Sequence, residues 1–541
     1  MQKAILPVLI CFATRVLAQT DISGGNVSGT WTEGGSPYLI WGNITVPADS
    51  TLLIEPAVEV IFQGYYNLTV NGFLEAIGTE TDSIYFIPAD TVSGWDGIRF
   101  LNAPDSSELA YCTVRHVGNS NTGPGGITCF NSDPVITHCL ISDNQARGEY
   151  PGLAGGIVLS NSDAEISWCD IRNNRSGFCG GGLNLYDSSP IISGCNIAFN
   201  SSVQDGGGIY VAGASGPIIT GCSIENDTSN GYGGGLMVES GVVTVWDCSI
   251  VYNQAGDGGG GIAVSSGNAI FSHCTFAHNQ ALTSSGKGGG VYASGGALTV
   301  NHCTMCSDYV MDPGGENGME IHTSGSAAAT ISNSILYSDN YLIVFGSSFP
   351  ASVSYSDFST ITVDWYFSGN IPPGLGELDQ VNPNGDSCDT YFNILLDPLF
   401  IDQPNDDFHL VGESPCINAG DPDSPYDPDS TITDMGRYYF DQTVGVDDSR
   451  KPLPEKLIIS QNYPNPFNSS TVITFSLSEA RPVTVTVYDL LGREIRTVLD
   501  DYRQAGIYHV TFDASSLPSG IYFYRLQAGE SIETRRMVLL K

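Results

Sequence analysis

The sequence predicts an all-β protein, in which a solenoid of short stacked strands is followed by a small, separate β-sandwich. Three observations support this prediction. A cysteine recurs every 26 to 30 residues, apolar residues alternate in short runs, and glycines separate those runs. A fixed period of this size is typical of a solenoid, and runs of two or three alternating residues are too short and too rich in glycine for helices.

Each period repeats the same columns of residues. The clearest copy, residues 180–200, reads GGGLNLYDSSPIISGCNIAFN. The recurring cysteines are Cys112, Cys139, Cys169, Cys195, Cys222, Cys248, Cys274 and Cys303. Five residues after each cysteine, from the second onward, come Asn144, Asn174, Asn200, Asp227, Asn253, Asn279 and Asp308. We therefore predict three short strands per coil, with Asn, Asp and Gly at the corners, because these residues tolerate positive φ and stacked amides can hydrogen-bond along the axis.

Stacked coils would form parallel sheets with strands about 4.8 Å apart and with Ile, Val, Leu and Cys inside. A single coil buries too little to fold alone, so stability must come from its neighbours. The ladder cysteines point the same way in register, which disfavours disulfides and predicts buried free thiols. After Cys303 the spacing places Asn333 where the next cysteine would fall.

These repeats resemble right-handed parallel β-helix proteins, the pectate-lyase-like superfamily. Further paired motifs are Gly207-Gly208-Ile209, Gly289-Gly290-Val291, Ile197-Ala198-Phe199-Asn200, Ile250-Val251-Tyr252-Asn253 and Phe276-Ala277-His278-Asn279. This combination of Gly-Gly-apolar and Phe/Ile-x-x-Asn is similar to the repeats of chlamydial polymorphic outer-membrane adhesins. The resemblance implies a role at a cell surface.

Composition changes divide the chain into segments. Residues 1–18 combine Lys3, an apolar run and a small-residue site before Gln19, which is typical of a secretory signal peptide. An N-terminal cap with the first coils is predicted for 19–110, regular repeats for 111–370, a closing segment for 371–447, a linker for 448–456 and the C-terminal module for 457–541. No other apolar run approaches the length of a transmembrane helix.

The charge is concentrated in the solenoid. The whole chain has a net charge of −38, and residues 19–448 carry 7 basic against 49 acidic residues, whereas residues 449–541 carry 11 basic against 9 acidic. Such an acidic body repels nucleic acid and anionic membranes, so neither is expected as a partner. A polyanionic substrate is also a poor match unless metal ions intervene.

The closing segment contains an acidic loop with Asp421, Asp423, Asp427, Asp429 and Asp434. Alternating carboxylates can supply the oxygen ligands that Ca²⁺ prefers, so calcium is the one cofactor the sequence suggests. The spacing lacks the glycine and the closing glutamate of an EF-hand, and the alternative is a solvated acidic turn. Cys388 and Cys416, outside the ladder, are the best disulfide candidates.

Residues 457–541 predict about seven strands, and they contain the motifs NYPNPFN from position 462, YDLLGR from position 488 and SGIYFYRL from position 519. The module resembles the type A C-terminal sorting domain of type IX secretion substrates. The matching residues are Pro464, Asn465, Pro466, Phe467, Asn468, Gly492, Gly520, Tyr522 and Lys541. The resemblance implies export by the type IX machinery, processing by its sortase, and a protein that is secreted or held on the outer-membrane surface of a Gram-negative bacterium.

For the solenoid we predict adhesion or glycan binding to extracellular glycans or to a host or neighbouring cell surface. Tyr210 and Tyr292 follow inward apolar residues by one position, so both should face outward on one sheet, with Met237 and Ala263 between them. Aromatic faces of this kind can stack on sugars. The alternative is a polysaccharide lyase or glycoside hydrolase, which would need a basic residue or paired carboxylates. No residue is assigned a catalytic role.

Overall fold

The computed structural model describes residues 19–118, 125–147, 154–283, 286–311, 318–338, 342–346, 351–360, 366–442, 458–459, 467, 470–477, 481–488, 493–503, 506–515, 517–518, 520–528 and 531–539. The chain divides into two units, residues 1–442 and 443–541. The predicted signal peptide and linker lie outside the described residues. Within those residues no helix is long and apolar enough to cross a membrane.

The first unit is a parallel β-helix, as predicted, in which successive coils add strands to three long sheets. The strands of sheet A are Thr20–Ile22, Tyr38–Ile40, Glu59–Phe62, Ile84–Pro88, Cys112–Arg115, Leu140–Ser142, Asp170–Arg172, Asn196–Ala198, Ser223–Glu225, Ser249–Val251, Thr275–Ala277, Thr304–Cys306, Ile335–Ser338 and Asp357–Thr360. The strands of sheet B are Gly25–Asn26, Ile44–Val46, Leu68–Val70, Ile98–Leu101, Ile127–Phe130, Ile157–Ser160, Leu183–Tyr186, Ile209–Ala212, Leu236–Val238, Ile262–Val264, Val291–Ala293, Ile321–Thr323, Ile343–Phe345 and Phe367–Gly369. The strands of sheet C are Gly29–Trp31, Thr51–Ile54, Phe73–Ile77, Glu108–Ala110, Val135–Thr137, Glu165–Ser167, Ile191–Ser193, Ile218–Thr220, Val242–Trp246, Asn268–Ser272, Ala297–Asn301, Ala328–Ser332 and Ala351–Ser354. A short 3₁₀ turn, Glu33–Gly35, interrupts the first coils.

The regular coils contain a fourth short strand that the sequence did not predict. These two-residue strands form sheet D and are Gln145–Ala146, Arg175–Ser176, Ser201–Ser202, Thr228–Ser229, Gln254–Ala255, Gln280–Ala281 and Tyr309–Val310. Two residues are too few to show an alternating pattern, so no periodic signal marks them in the sequence. The prediction of three strands per coil therefore omitted one sheet.

Alternation along each strand builds one continuous core. In the strand Leu183–Tyr186, the side chains of Leu183 and Leu185 are fully buried, and they pair in register with buried residues of the coils before and after. Fully burying one such side chain stabilises the fold by about 1.5–3 kcal/mol. Because the same columns continue from coil to coil, the solenoid has a single apolar interior.

The asparagine column is a buried hydrogen-bonded ladder. The side-chain amide of Asn253 donates to Asn279 Oδ1 at 3.0 Å and to the carbonyl of Ile224 at 2.9 Å, while its Oδ1 accepts the backbone N–H of Asp227 at 3.0 Å. Asn174 and Asn200 bond in the same way. Amide stacking along the axis is thus confirmed, and these side chains are buried inside the coil.

The residues with positive φ are not the ladder residues but those just before them, which corrects the predicted corners. The residues that precede the ladder Asn or Asp, with φ between 54° and 60°, are Asp143, Asn173, Phe199, Asn226, Tyr252, His278 and Ser307. The residue before each ladder cysteine is also left-handed, as at His138 and Trp168. This conformation turns the backbone and leaves the next side chain pointing inward, and it costs a non-glycine residue about 1–2 kcal/mol.

The glycine triplets are required by close approach between coils. The first glycine, such as Gly206, has φ +64°, and a Cβ on the second, Gly207, would lie 2.3 Å from the carbonyl oxygen of Gly234 in the next coil. A Cβ on the third, Gly208, would meet the side chain of Asp227 at 2.5 Å. The Gly-Gly-apolar motif therefore has a stacking explanation.

The ladder cysteines are buried free thiols, as predicted. The backbone N–H of Cys195 donates to the sulfur of Cys222 at 3.4 Å, and the thiol of Cys195 donates to the carbonyl of Ser193. Beyond Cys303 the next residue of this column is Ser334, whose hydroxyl accepts the backbone N–H of Cys303 at 3.1 Å. The predicted replacement, Asn333, lies one position earlier, in the left-handed corner.

The closing segment ends the solenoid and then runs back along sheet A. Its strands are Gln380–Val381 with Ser387–Cys388 and Phe400–Asp402 with Asp407–Leu410, and a 3₁₀ turn spans Gln403–Asn405. Asn393 caps the last coil by accepting the N–H of Ser356. Arg437 donates to the carbonyl of Cys248 and to Asp247, so the segment is bonded to coils far before the end.

The second unit contains two antiparallel sheets. A three-stranded sheet consists of Ile458–Ile459, Ser470–Leu477 and Gly506–Asp513. A four-stranded sheet consists of Glu494–Arg503, Arg481–Tyr488, Gly520–Ala528 and Ser531–Leu539. Phe475 and Phe512 of one sheet share a core with Val485 and Leu526 of the other, in agreement with the predicted sandwich.

Candidate functional site

The outward-facing residues of sheet B vary from coil to coil. In register, this outer row reads Arg99, Thr128, Val158, Asn184, Tyr210, Met237, Ala263, Tyr292, His322 and Val344. The predicted alignment of Tyr210, Met237, Ala263 and Tyr292 is therefore correct. The inward residue just before each member of the row, in contrast, is always Ile, Leu or Val.

A cavity of about 130 Å³ lies on this row, and we call it the tyrosine cavity. Its lining residues are Tyr232, Met237, Ala263, Val264, Ser265, Tyr292 and Ser294. The rings of Tyr232 and Tyr292 stack with centroids 5.6 Å apart and an interplanar angle of 21°. Between the larger side chains of Met237 and Tyr292 in the row stands Ala263, whose small side chain leaves the space open.

Tyr232 enters the cavity from the loop before a glycine triplet. Its backbone bridges to Gly258, which in turn bridges to Lys287, so three successive loops are held side by side. Tyr232 was not among the predicted ligand-binding residues. The available signal was an aromatic residue before a glycine triplet, where the other regular coils have Cys179, Asp205, Gly258 and Lys287.

Two carboxylates, Asp205 and Asp257, lie close to Tyr232, one of the residues that line the cavity. Asp205 Oδ1 accepts the backbone N–H of Tyr232 at 2.7 Å, which is the turn chemistry expected of Asp before a glycine triplet. Burial raises the pKa of Asp205, and the nearby charges of Glu239 and Asp257 raise it further. Burial also raises the pKa of the Tyr232 hydroxyl, with added contributions from Asp257, Tyr292 and Asp205. These acidic groups therefore lie close enough to act on the cavity electrostatically.

Of the two predicted ligand-binding tyrosines, Tyr292 lines the cavity, whereas Tyr210 lies outside it. The Tyr210 hydroxyl donates a hydrogen bond to Glu239 Oε2. Burial and this hydrogen bond raise the pKa of Tyr210. The hydroxyl of Tyr292 lies 3.0 Å from Ser324 Oγ, and this contact with the next coil fixes the position of the ring.

Two arginines of the solenoid that could supply the basic group of a lyase have structural partners. Arg172 forms an ion pair with Asp170 at 3.1 Å, and Arg437 forms one with Asp247 at 3.0 Å. Asn174, beside Arg175, belongs to the buried ladder. Arg172 and Arg437 are thus held in structural contacts, and the tyrosine cavity is the candidate site.

The acidic loop is tied together by its own backbone. Asp434 accepts the N–H groups of Asn418 at 2.7 Å and Phe440 at 2.6 Å, and Asp427 accepts the N–H of Asp434 at 2.8 Å. Asp429 accepts the N–H groups of Thr431 and Gln442. Asp421 accepts the N–H of Asp423.

These bonds occupy carboxylate oxygens that a cation would need. Burial raises the pKa of Asp434 to about 7 and that of Asp427 to about 6. In the described part of the chain, no three His, Cys, Asp or Glu side chains are grouped so as to hold a metal ion. Calcium binding by the five aspartates stays a prediction.

Cys388 and Cys416 do not pair, which corrects the disulfide prediction. Both are buried free thiols in the core of the closing segment. The thiol of Cys416 donates instead to Asp357 Oδ2 at 3.3 Å. Asp357 is fully buried, and burial raises its pKa to about 8.

Three of the predicted sorting residues lie in the described part of the second unit. Phe467 is buried, and its N–H donates to the carbonyl of Val538. The Tyr522 hydroxyl donates to the carbonyl of Pro518 at 2.8 Å, and Gly520 begins a strand. The remaining predicted sorting residues, Pro464, Asn465, Pro466, Asn468, Gly492 and Lys541, lie outside the described residues.

Comparison with known families identifies parts of both units. Residues 155–335 match the family described as right handed beta helix region, and residues 461–540 match the family described as secretion system C-terminal sorting domain. The second match is the sorting domain of type IX secretion. The protein is therefore secreted or displayed on the cell surface.

One curated relative is similar to a limited stretch of the chain. A segment of 133 residues is 27% identical to Protein bark beetle of Drosophila melanogaster. The aligned part covers 24% of this chain and 4% of that protein. The likeness therefore concerns a small fraction of the relative.

Proposed function

We propose that this protein is a glycan-binding surface adhesin whose solenoid presents the tyrosine cavity to extracellular sugars. The observation that supports the proposal is the stacked pair Tyr232 and Tyr292 beside the small Ala263, on an outward row whose residues vary from coil to coil. Ligand sites are commonly concave, largely apolar and aromatic, with a few polar groups at the edge. The cavity has this composition.

The test is a glycan array probed with the full-length chain. We expect binding that falls at least about tenfold in Tyr232→Ala and in Tyr292→Ala, because each substitution removes one ring of the stacked wall. The matched control is Tyr186→Ala, an exposed tyrosine at the end of an earlier sheet B strand. Equal losses in the control and the cavity variants would contradict the proposal.

A lyase or hydrolase, the alternative function, would differ from an adhesin by releasing reaction products. The same glycans are incubated with the protein, and reducing ends and unsaturated uronates are measured. Binding without release of either product is the expected result. Release of product that disappears in Tyr292→Ala would replace the adhesin proposal with an enzyme.

The export route is tested in the native host. A chain that ends at Lys456 lacks the matched sorting domain. We expect it to accumulate in the periplasm, while the full chain reaches the surface or the medium. Normal surface delivery of the shortened chain would overturn the role of residues 461–540 in sorting.

A further inference from the structure

The charge around the tyrosine cavity restricts which sugars it can accept. Asp205 accepts the backbone N–H of the lining residue Tyr232, and Asp257 directly precedes Gly258, which bridges to Tyr232. Glu239 accepts a hydrogen bond from Tyr210, the neighbour of Met237 in the outer row, and the third loop carries Lys287. Three carboxylates against one ammonium leave an excess of negative charge at the site. The surrounding solenoid is strongly acidic as well, so few distant cations offset this potential.

We propose, on the basis of the glycan-binding function above, that the sugar residue bound in this cavity carries a protonated amine and no carboxylate. The faces of Tyr232 and Tyr292 attract cations through the ring quadrupole. The neighbouring carboxylates attract the same group by direct charge interaction. A uronate would instead place another negative charge beside three carboxylates, which like-charge repulsion disfavours.

The size and lining of the cavity limit how much of the glycan enters. The cavity is small, about 130 Å³, so we expect it to admit a single sugar ring rather than several. The side chains of Met237 and Ala263 form an apolar floor and cannot bond to hydroxyls, whereas the side chain of Val264 belongs to the core. The apolar face of the sugar therefore lies on this floor and on the two tyrosine rings. Its amine points toward the acidic edge, which we define as the carboxylates of Asp205, Glu239 and Asp257.

The acidic edge is built by different loops and strands, so its members can be altered separately. Glu239 follows the strand that contains Met237 and is bonded to the Tyr210 hydroxyl. Asp257 lies in the loop of the next coil, beside the bridge between Tyr232 and Gly258. Glu239→Gln and Asp257→Asn remove one charge each while keeping a hydrogen-bond acceptor.

The experiment measures binding of three matched oligosaccharides to the full-length chain by calorimetry. They are a glucosamine oligomer, the same oligomer fully N-acetylated, and an oligogalacturonate of equal length, at low salt and about pH 6, where amines are protonated. We expect the glucosamine oligomer to bind at least about tenfold more tightly than the N-acetylated one, and the galacturonate to show no binding. Each charge-removing variant should weaken the glucosamine oligomer about two- to fivefold, since exposed charge pairs contribute modestly.

Two controls separate the cavity from general attraction to an acidic protein. Glu165→Gln removes one carboxylate from sheet C and should leave binding unchanged. Tyr292→Ala keeps every charge and should reduce binding of the glucosamine oligomer about tenfold. Equal effects of Glu165→Gln and Asp257→Asn, or unchanged binding in Tyr292→Ala, would overturn the inference.

The remaining outcomes distinguish this inference from the function on which it rests. Equal or tighter binding of the N-acetylated oligomer or of the galacturonate would overturn the amine preference and leave glycan binding intact. Absence of binding to all three oligomers, together with a blank glycan array, would overturn glycan binding itself.

Discussion

The buried asparagine ladder and the outer row of sheet B run through the same coils but follow opposite rules. The ladder repeats Asn or Asp in each regular coil, whereas the outer row changes from Asn184 to Tyr210, Met237, Ala263 and Tyr292 in successive coils. Each ladder residue bonds to the coils on both sides, so its identity is set by stacking. Residues of the outer row point away from the apolar interior, so coil stacking allows their identity to vary.

Breaking the asparagine ladder should cause the largest loss of stability. Asn253→Ala leaves the N–H of Asp227 and the carbonyl of Ile224 without their side-chain partner inside the coil. Each unsatisfied buried group costs about 1–3 kcal/mol, so we expect the free energy of unfolding to fall by about 2–4 kcal/mol. Chemical denaturation measures the loss. Thr228→Ala, an exposed change in a neighbouring coil, should alter stability by less than about 0.5 kcal/mol.

Asp227 gives a second test of the ladder, because only one of its two carboxylate oxygens accepts hydrogen bonds among the described residues. Its Oδ1 accepts two hydrogen bonds from Asn200, and among the described residues its buried Oδ2 has no hydrogen-bond partner. An amide at this position would place an NH₂ group where Asn253 places its own, near the acceptors of the adjacent coils. Asp227→Asn should therefore raise the free energy of unfolding at about pH 8 by about 1–3 kcal/mol.

The pH dependence follows from the direction of the pKa shift. Burial raises the pKa of Asp227 well above its ordinary value, and burial raises the pKa of Asp308 to about 7. The folded chain then holds protons that the unfolded chain releases above about pH 4, so stability falls as the pH rises, for Asp308 between about pH 4 and pH 7. The gain from Asp227→Asn should vanish below about pH 4. A gain that does not depend on pH would contradict this account of the ladder.

Filling the tyrosine cavity tests whether the outer row of sheet B serves a ligand rather than coil stacking. Ala263→Leu places a larger side chain between Met237 and Tyr292 and should weaken glycan binding about tenfold, or about 1.4 kcal/mol. Because Ala263 is only 1% exposed, the added side chain must occupy the cavity, and overpacking should lower the free energy of unfolding by no more than about 1–3 kcal/mol. Ala297→Leu on the outer face of sheet C is the matched control. Loss of stability without loss of binding would mean that the outer row serves stacking after all.

The smallest expected effect concerns calcium and the acidic loop. A site of the affinity common in extracellular modules, about 10⁻³ M, would raise the free energy of unfolding by only about 0.4 kcal/mol at about 1 mM calcium. Thermal unfolding with calcium and with chelator measures this shift, and Asp429→Asn should remove it. An identical midpoint under both conditions would end the calcium prediction.

Much of the fold could be predicted because stacking imposes a one-dimensional repetition on the sequence. The cysteine spacing located the coils, and the alternation at Ile209 and Val211 identified inward and outward residues correctly. The two-residue strands of sheet D escaped detection because they are shorter than any period. The left-handed corners were displaced by one position because Phe199 and Tyr252 are not residues that usually adopt positive φ.

The candidate site could be predicted only in part. Register alone placed Tyr210 and Tyr292 in one row, yet the structure assigns the cavity to Tyr292 and Tyr232. The carboxylates of the acidic loop suggested a cation in sequence, whereas in the fold they accept backbone N–H groups. Whether a carboxylate is used by the backbone or remains open depends on how the loop is closed, and spacing does not reveal this.

The sequence by itself determined the coil period, the parallel stacking, the buried thiols, the stacking of the amides along the axis, and the separate C-terminal module, because the repeated features depend on residues a fixed distance apart. Only the tertiary structure decided that the closing segment returns along sheet A and that Tyr232 meets Tyr292 across an alanine. These two tyrosines are distant along the chain but only two coils apart, or roughly 10 Å along the axis. Contacts between coils depend on the exact loop path, and that path is set by packing rather than by any repeated pattern.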